Sequence, residues 1–145
     1  MKNVFSKDLE AGKKYENIVL CMVQKKYPKA YIVDGYCKEW DIFVPELNFG
    51  IEVKLDKKSI DTGNIVIEIE FDGKPSALTT TKAKWWVIYD GLKYNWFCVK
   101  NIFRCIEENN LTYKKFVGRG DIKEKKAYLI KKKLLFKYKE YETWR

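Results

Sequence analysis

The stretch that most constrains this chain is residues 40–55, WDIFVPELNFGIEVKL. Ile51, Val53 and Leu55 alternate with Glu52 and Lys54, the period-2 pattern of a strand with one buried face, so Glu52 and Lys54 share the opposite face. Trp40, Ile42 and Val44 alternate in the same way around Asp41, and Pro45, Asn48 and Gly50 are turn residues, which predicts two antiparallel strands of one hairpin. With the turn centred near residues 46–48, Asp41 lies opposite Glu52 or Lys54, and opposed residues project from the same face. A register slipped by one would pair Asp41 with Val53 and bury a charge. The apolar pattern therefore selects the arrangement that gathers two carboxylates and an ammonium.

Two carboxylates held close repel each other unless a cation sits between them, and hard oxygen ligands suit Mg²⁺ or Mn²⁺. Such an ion polarises a phosphodiester, and Lys54 would orient the attacking water or offset charge on the phosphate. The expectation is metal-dependent phosphodiester hydrolysis. Spacing alone does not single out this site, because acid-x-Lys recurs at Asp56/Lys58, Asp72/Lys74, Asp121/Lys123 and Glu124/Lys126. Only Glu52/Lys54 lies in an apolar alternation with a second carboxylate strand before it. The same residues would also make a solvated sheet face with a cross-strand ion pair worth about 0.2–1 kcal/mol.

Asp41, then Glu52-Val53-Lys54 on the next strand, preceded by a helix carrying Glu16, resembles the PD-(D/E)XK nuclease superfamily. The segments TGNIVIE from Thr62, GKPS from Gly73 and TTKA from Thr80 resemble its small phage-type or Holliday-junction-resolvase-like members. Trp40 stands where the motif's name has proline. The resemblance covers roughly residues 8–90. It implies an α/β protein with a restriction-endonuclease-like core, a central mixed sheet flanked by helices, and Mg²⁺-dependent cleavage of nucleic acid, DNA in the first instance. By position in the motif, Asp41 and Glu52 hold the metal, the Val53 carbonyl and Glu16 add ligands, and Lys54 is the catalytic lysine.

At 145 residues, with 46% hydrophobic and 16% aromatic residues, the chain reads as one globular nuclease-like domain over residues 1–145. No apolar run approaches a membrane span and the start has no signal-peptide core, so a cytoplasmic protein without a membrane partner is expected. Histidine is absent and the four cysteines have no C-x-x-C spacing, which argues against zinc or a histidine base and for reduced, partly buried thiols. The net charge of +9 is concentrated in residues 112–145, which carry 12 Lys or Arg against 4 Asp or Glu. Such a block suits a polyanion or simply a solvated face.

Along the chain, residues 6–27 read as an amphipathic helix capped by Ser6 or Asp8, with Glu16, or less well Glu10, at the edge of its buried stripe. Residues 31–33 form a short strand and Asp34 a turn. Residues 64–71 form a further strand of the same sheet, and Glu68 extends the acidic cluster if its face matches that of Glu52. The Thr79–Thr81 hydroxyls and amides either cap a short helix or hold a backbone phosphate, and Lys82 is the expected phosphate contact; Thr81, Lys82 and Lys74 are the predicted substrate-binding residues. WWVIY at residues 85–89 is a buried strand, residues 96–99 another, and residues 102–109 a helix. Residues 118–120 are read as a loop. The apolar runs 127–130 and 134–136 are strand-like and read first as core or edge elements; the alternative is that their Tyr and Lys residues track a nucleic-acid backbone. Two further hypotheses remain beside the nuclease: a homodimeric Holliday-junction resolvase, and a non-catalytic nucleic-acid-binding module.

Overall fold

The computed structural model describes residues 4–35, 38–117 and 123–140. The first helix, α1 (Val4–Gln24), buries Val19 and Val23 at the four-residue spacing of one helical face. It starts ahead of Ser6 and Asp8, so neither caps it. The α1 stripe packs with Ile42, Val44, Ile51, Trp85 and Val87 in one apolar cluster.

Those partners lie on a five-stranded mixed sheet, ordered β1 (Tyr31–Ile32), β2 (Ile42–Val44), β3 (Phe49–Leu55), β6 (Trp85–Tyr89) and β7 (Tyr94–Cys98). All neighbours are antiparallel except β3 and β6, which run parallel in the register Ile51↔Trp85 through Leu55↔Tyr89. WWVIY suits this central position because Trp85 and Val87 face α1 while Trp86 and Ile88 face the other way, and all four are buried. The molecule is therefore α/β, with a mixed sheet and helices.

The strand β4 (Asn64–Phe71) forms where its alternation predicts, but not in that sheet. The outer edge of β3 is already taken by β6, so β4 pairs instead with β9 (Glu124–Lys131), Ile65 opposite Ile130 and Ile67 opposite Tyr128. A second, antiparallel sheet results, ordered β5 (Lys74–Pro75), β4, β9 and β8 (Lys114–Val117). Ile65, Ile67 and Ile130 pack against Trp86, Ile88 and Phe97 of the first sheet and against Ile102 of α3 (Val99–Glu108). The first sheet thus carries α1 on one face and the second sheet with α3 on the other.

Between β3 and β4 lies the short helix α2 (Ser59–Thr62), closed by Gly63 at φ 72°. The run at residues 134–136 is helical rather than strand-like: α4 (Lys132–Leu135) buries Leu135 and passes into a 3-10 turn, Phe136–Tyr138. No described helix is long and apolar enough to cross a membrane. Cys21, Cys98 and Cys105 are free thiols, the last two buried; Cys37, the segment 118–120 and the Glu10 side chain lie outside what is described.

Candidate functional site

The β2–β3 hairpin turns through residues 45–48, with Asn48 in the left-handed region at φ 53° and the Leu47 N–H donating to the Val44 carbonyl. Its register, Ile42↔Ile51 and Val44↔Phe49, stops one residue short of Asp41, so the ladder itself does not pair Asp41 with Glu52; Glu52 meets the Asp41 charge through space. Gly50 is required here: the Trp40 ring lies over it, and a Cβ would overlap the ring carbons. Trp40 also stacks on Phe43, with ring centroids 5.3 Å apart, which fixes the chain entering β2.

Asp41 ends the β2–β3 ladder. Its N–H still donates to the Ile51 carbonyl at 2.9 Å, but the next ladder position belongs to its side chain, with Oδ2 accepting the Val53 N–H at 2.8 Å. The carboxylate thus substitutes for a backbone carbonyl where β2 pairing ends. A strand residue points its N–H and C=O to the same side, so the Val53 carbonyl looks toward Asp41 and away from β6.

Glu16 reaches this place from α1. Its carboxylate interacts with that of Asp41, and Lys38 joins them, with Nζ 2.9 Å from Asp41 Oδ1 and 3.5 Å from Glu16 Oε1. The side chains are largely withdrawn from water, 9% exposed for Asp41, 15% for Glu16 and 18% for Glu52. Burial, then the Asp41 charge, raises the Glu16 carboxyl above the ordinary glutamate range despite Lys38. Burial and the Asp41 charge raise Glu52 in the same way, opposed by Lys54. Burial draws the Lys38 ammonium down, but hydrogen bonds and charges from Asp41 and Glu16 leave it raised. Glu16 and Glu52 are both poised against the Asp41 charge, a cluster that favours an added cation.

Lys54 Nζ lies 3.4 Å from Glu52 Oε2 and 5.2 Å from the centre of the Trp86 ring. Glu52, Lys54 and Lys38 open onto a pocket of about 410 Å³ that Thr80, Thr81 and Lys82 also line. Thr81 Oγ1 accepts from Trp86 Nε1 at 3.1 Å, and Lys82 pairs with Glu39 at 3.3 Å. Two of the three predicted substrate-binding residues, Thr81 and Lys82, therefore share a pocket with the acid-lysine pair. Lys74 does not: it is exposed on β5, the edge of the second sheet, and lines neither this pocket nor the next.

A neighbouring pocket of about 370 Å³ shares Lys54 and includes Trp86, Phe116, Glu68 and Lys125. Glu68 belongs there, held by Ser76 Oγ at 2.8 Å and facing Lys125 at 3.7 Å, so it does not join Glu52. Its separation follows from β4 lying in the second sheet. Asp34 is exposed, one residue before the bend at Gly35.

Lys38 was not legible beforehand, since it sits in irregular chain between β1 and β2 where no periodicity marks a side chain's direction. Its spacing of three residues before Asp41 is the only signal.

Comparison with protein-family models, with curated proteins and with solved structures found no match. The chemistry therefore rests on the groups themselves. Among the described residues no three Asp, Glu, Cys or His side chains stand ready to hold a metal ion, and a lysine ammonium occupies the cationic place between Glu16 and Asp41. The donors fit a hard divalent ion in kind: they are all oxygen, and a positive group already bridges two of them.

Proposed function

We propose that this protein is an endonuclease that hydrolyses DNA phosphodiester bonds with Mg²⁺ or Mn²⁺, on a restriction-endonuclease-like core. The observation that carries the reading is the Asp41 carboxylate seated on the Val53 N–H, beside Glu52, while Lys54 opens onto the same pocket as Glu52. The α1 helix bearing Glu16 and the parallel pairing of β3 with β6 support the core assignment. Asp41, Glu52, the Val53 carbonyl and Glu16 would hold the ion. Bound there, it supplies Lewis acidity to the phosphodiester.

The chain's own groups do the rest. Lys54 donates hydrogen bonds toward the attacking water and offsets the charge that builds on the phosphate. Thr80, Thr81 and Lys82, which line the same pocket, hold a neighbouring phosphate. Partial burial of Asp41 and Glu52 lowers the local dielectric and strengthens each of these contacts.

One observation favours a second reading, a nucleic-acid-binding module without catalysis: Lys38 already neutralises part of the acidic cluster. Incubation with plasmid, linear duplex, single-stranded and four-way-junction DNA plus Mg²⁺ or Mn²⁺ separates the two. The nuclease reading predicts cleavage that Glu52→Ala and Lys54→Ala abolish. Cleavage that survives both substitutions removes the motif from the mechanism, and salt-sensitive binding without cleavage favours the module.

A further inference from the structure

Among the described residues, Lys38 is the one cation paired with both Asp41 and Glu16. Its Nζ lies between Asp41 Oδ1 and Glu16 Oε1, while its side chain also lines the pocket shared with Lys54, Thr80 and Lys82. Asp41 Oδ2 is committed to the Val53 N–H, so Oδ1 is the oxygen for which Lys38 and an added ion compete. We propose that Lys38 is a built-in counter-ion that a divalent cation displaces from Asp41 and Glu16, the freed ammonium then turning into the pocket to meet substrate phosphate. This rests on reading Asp41 and Glu52 as metal ligands.

Electrostatics and chain geometry both allow the exchange. Without metal, two crowded carboxylates require a positive partner, and a single ammonium supplies it. A doubly charged ion at the same oxygens outcompetes it. Lys38 belongs to irregular chain, so its movement breaks no strand ladder. Of the acids on the pocket wall, Glu39 is paired with Lys82 and Glu52 with Lys54, which leaves the released ammonium available to an incoming phosphate. Metal loading therefore raises the pocket's positive charge, and by linkage a bound phosphate raises metal affinity in return.

Titration calorimetry with Mn²⁺ on the full chain tests the exchange, comparing the parent protein with Lys38→Met and Lys82→Met. Displacement predicts about tenfold tighter Mn²⁺ binding by Lys38→Met, as for a site open about a tenth of the time in the parent. Lys82→Met, which removes a pocket charge without vacating Asp41, should stay within about twofold of the parent. Equal affinity of Lys38→Met and parent, or equal tightening by both variants, overturns the displacement. Absence of Mn²⁺ binding in all three overturns the metal reading with it. Should Lys38→Met fail to fold, lysine acylation of the parent protein read by mass spectrometry decides instead. Saturating Mn²⁺ should accelerate modification of Lys38 several-fold against the exposed Lys74, and an unchanged rate at Lys38 refutes its release.

Discussion

Replacing Asp41 separates its structural role from its chemical one. Asp41→Ala removes the acceptor of the Val53 N–H and the nearer partner of Lys38, both at a residue only 7% exposed. An orphaned buried N–H costs about 1–3 kcal/mol, and loss of a hydrogen bond to a charged group about 1.5–3 kcal/mol. Lys38 keeps Glu16 and partial access to water, so a total near 3 kcal/mol follows, or about 10 °C in Tm for a chain of this length. Asp41→Asn keeps an oxygen for the Val53 N–H and loses only the charge, so it should cost about 1 kcal/mol or less. Urea denaturation without metal measures both. Cleavage should vanish in both variants despite their different stabilities. The reasoning fails if Asp41→Ala unfolds within about 0.5 kcal/mol of the parent, or if Asp41→Asn is as unstable as Asp41→Ala.

The raised Glu52 carboxyl gives a pH dependence. The folded state holds that proton more tightly than the unfolded chain, so Glu52 makes metal-free stability fall as pH climbs from the unfolded value near 4.5 through the raised folded value. Glu52→Gln should flatten that decline in urea melts between about pH 4 and 7, and an unchanged slope contradicts the assignment. Mn²⁺ binding, which needs the carboxylates charged, should strengthen across the same interval in isothermal titrations. Lys82→Ala should weaken oligonucleotide binding and reduce its log–log salt slope by about 1, whereas Lys74→Ala should leave both unchanged in fluorescence anisotropy.

The hairpin was readable because the apolar alternation of Ile42, Val44 and Ile51, all buried, fixes one pairing; that Asp41 would end the ladder as a buried carboxylate on the Val53 N–H was not. WWVIY was readable as a buried strand for a similar reason, since apolar residues on both faces leave no solvent side. Sheet membership was not. The alternation of β4 says that one face is buried, and it would look the same whether its partner were β3 or β9. Leu134–Phe136 is too short for its period to separate strand from helix, and β8, with two lysines and two apolar residues, carries almost no pattern. At the candidate site, Glu52 and Lys54 lie on β3 where their alternation put them, while Lys38 and Asp41 lie in irregular chain where no periodicity sets a side chain's direction.

The most direct test of the metal assignment is anomalous diffraction from crystals equilibrated with Mn²⁺. The account predicts a peak coordinated by Asp41, Glu52 and the Val53 carbonyl, with Lys38 moved away from Asp41 Oδ1. A fully occupied Mn²⁺ elsewhere, or none at saturating concentration with Lys38 still bridging Glu16 and Asp41, contradicts it.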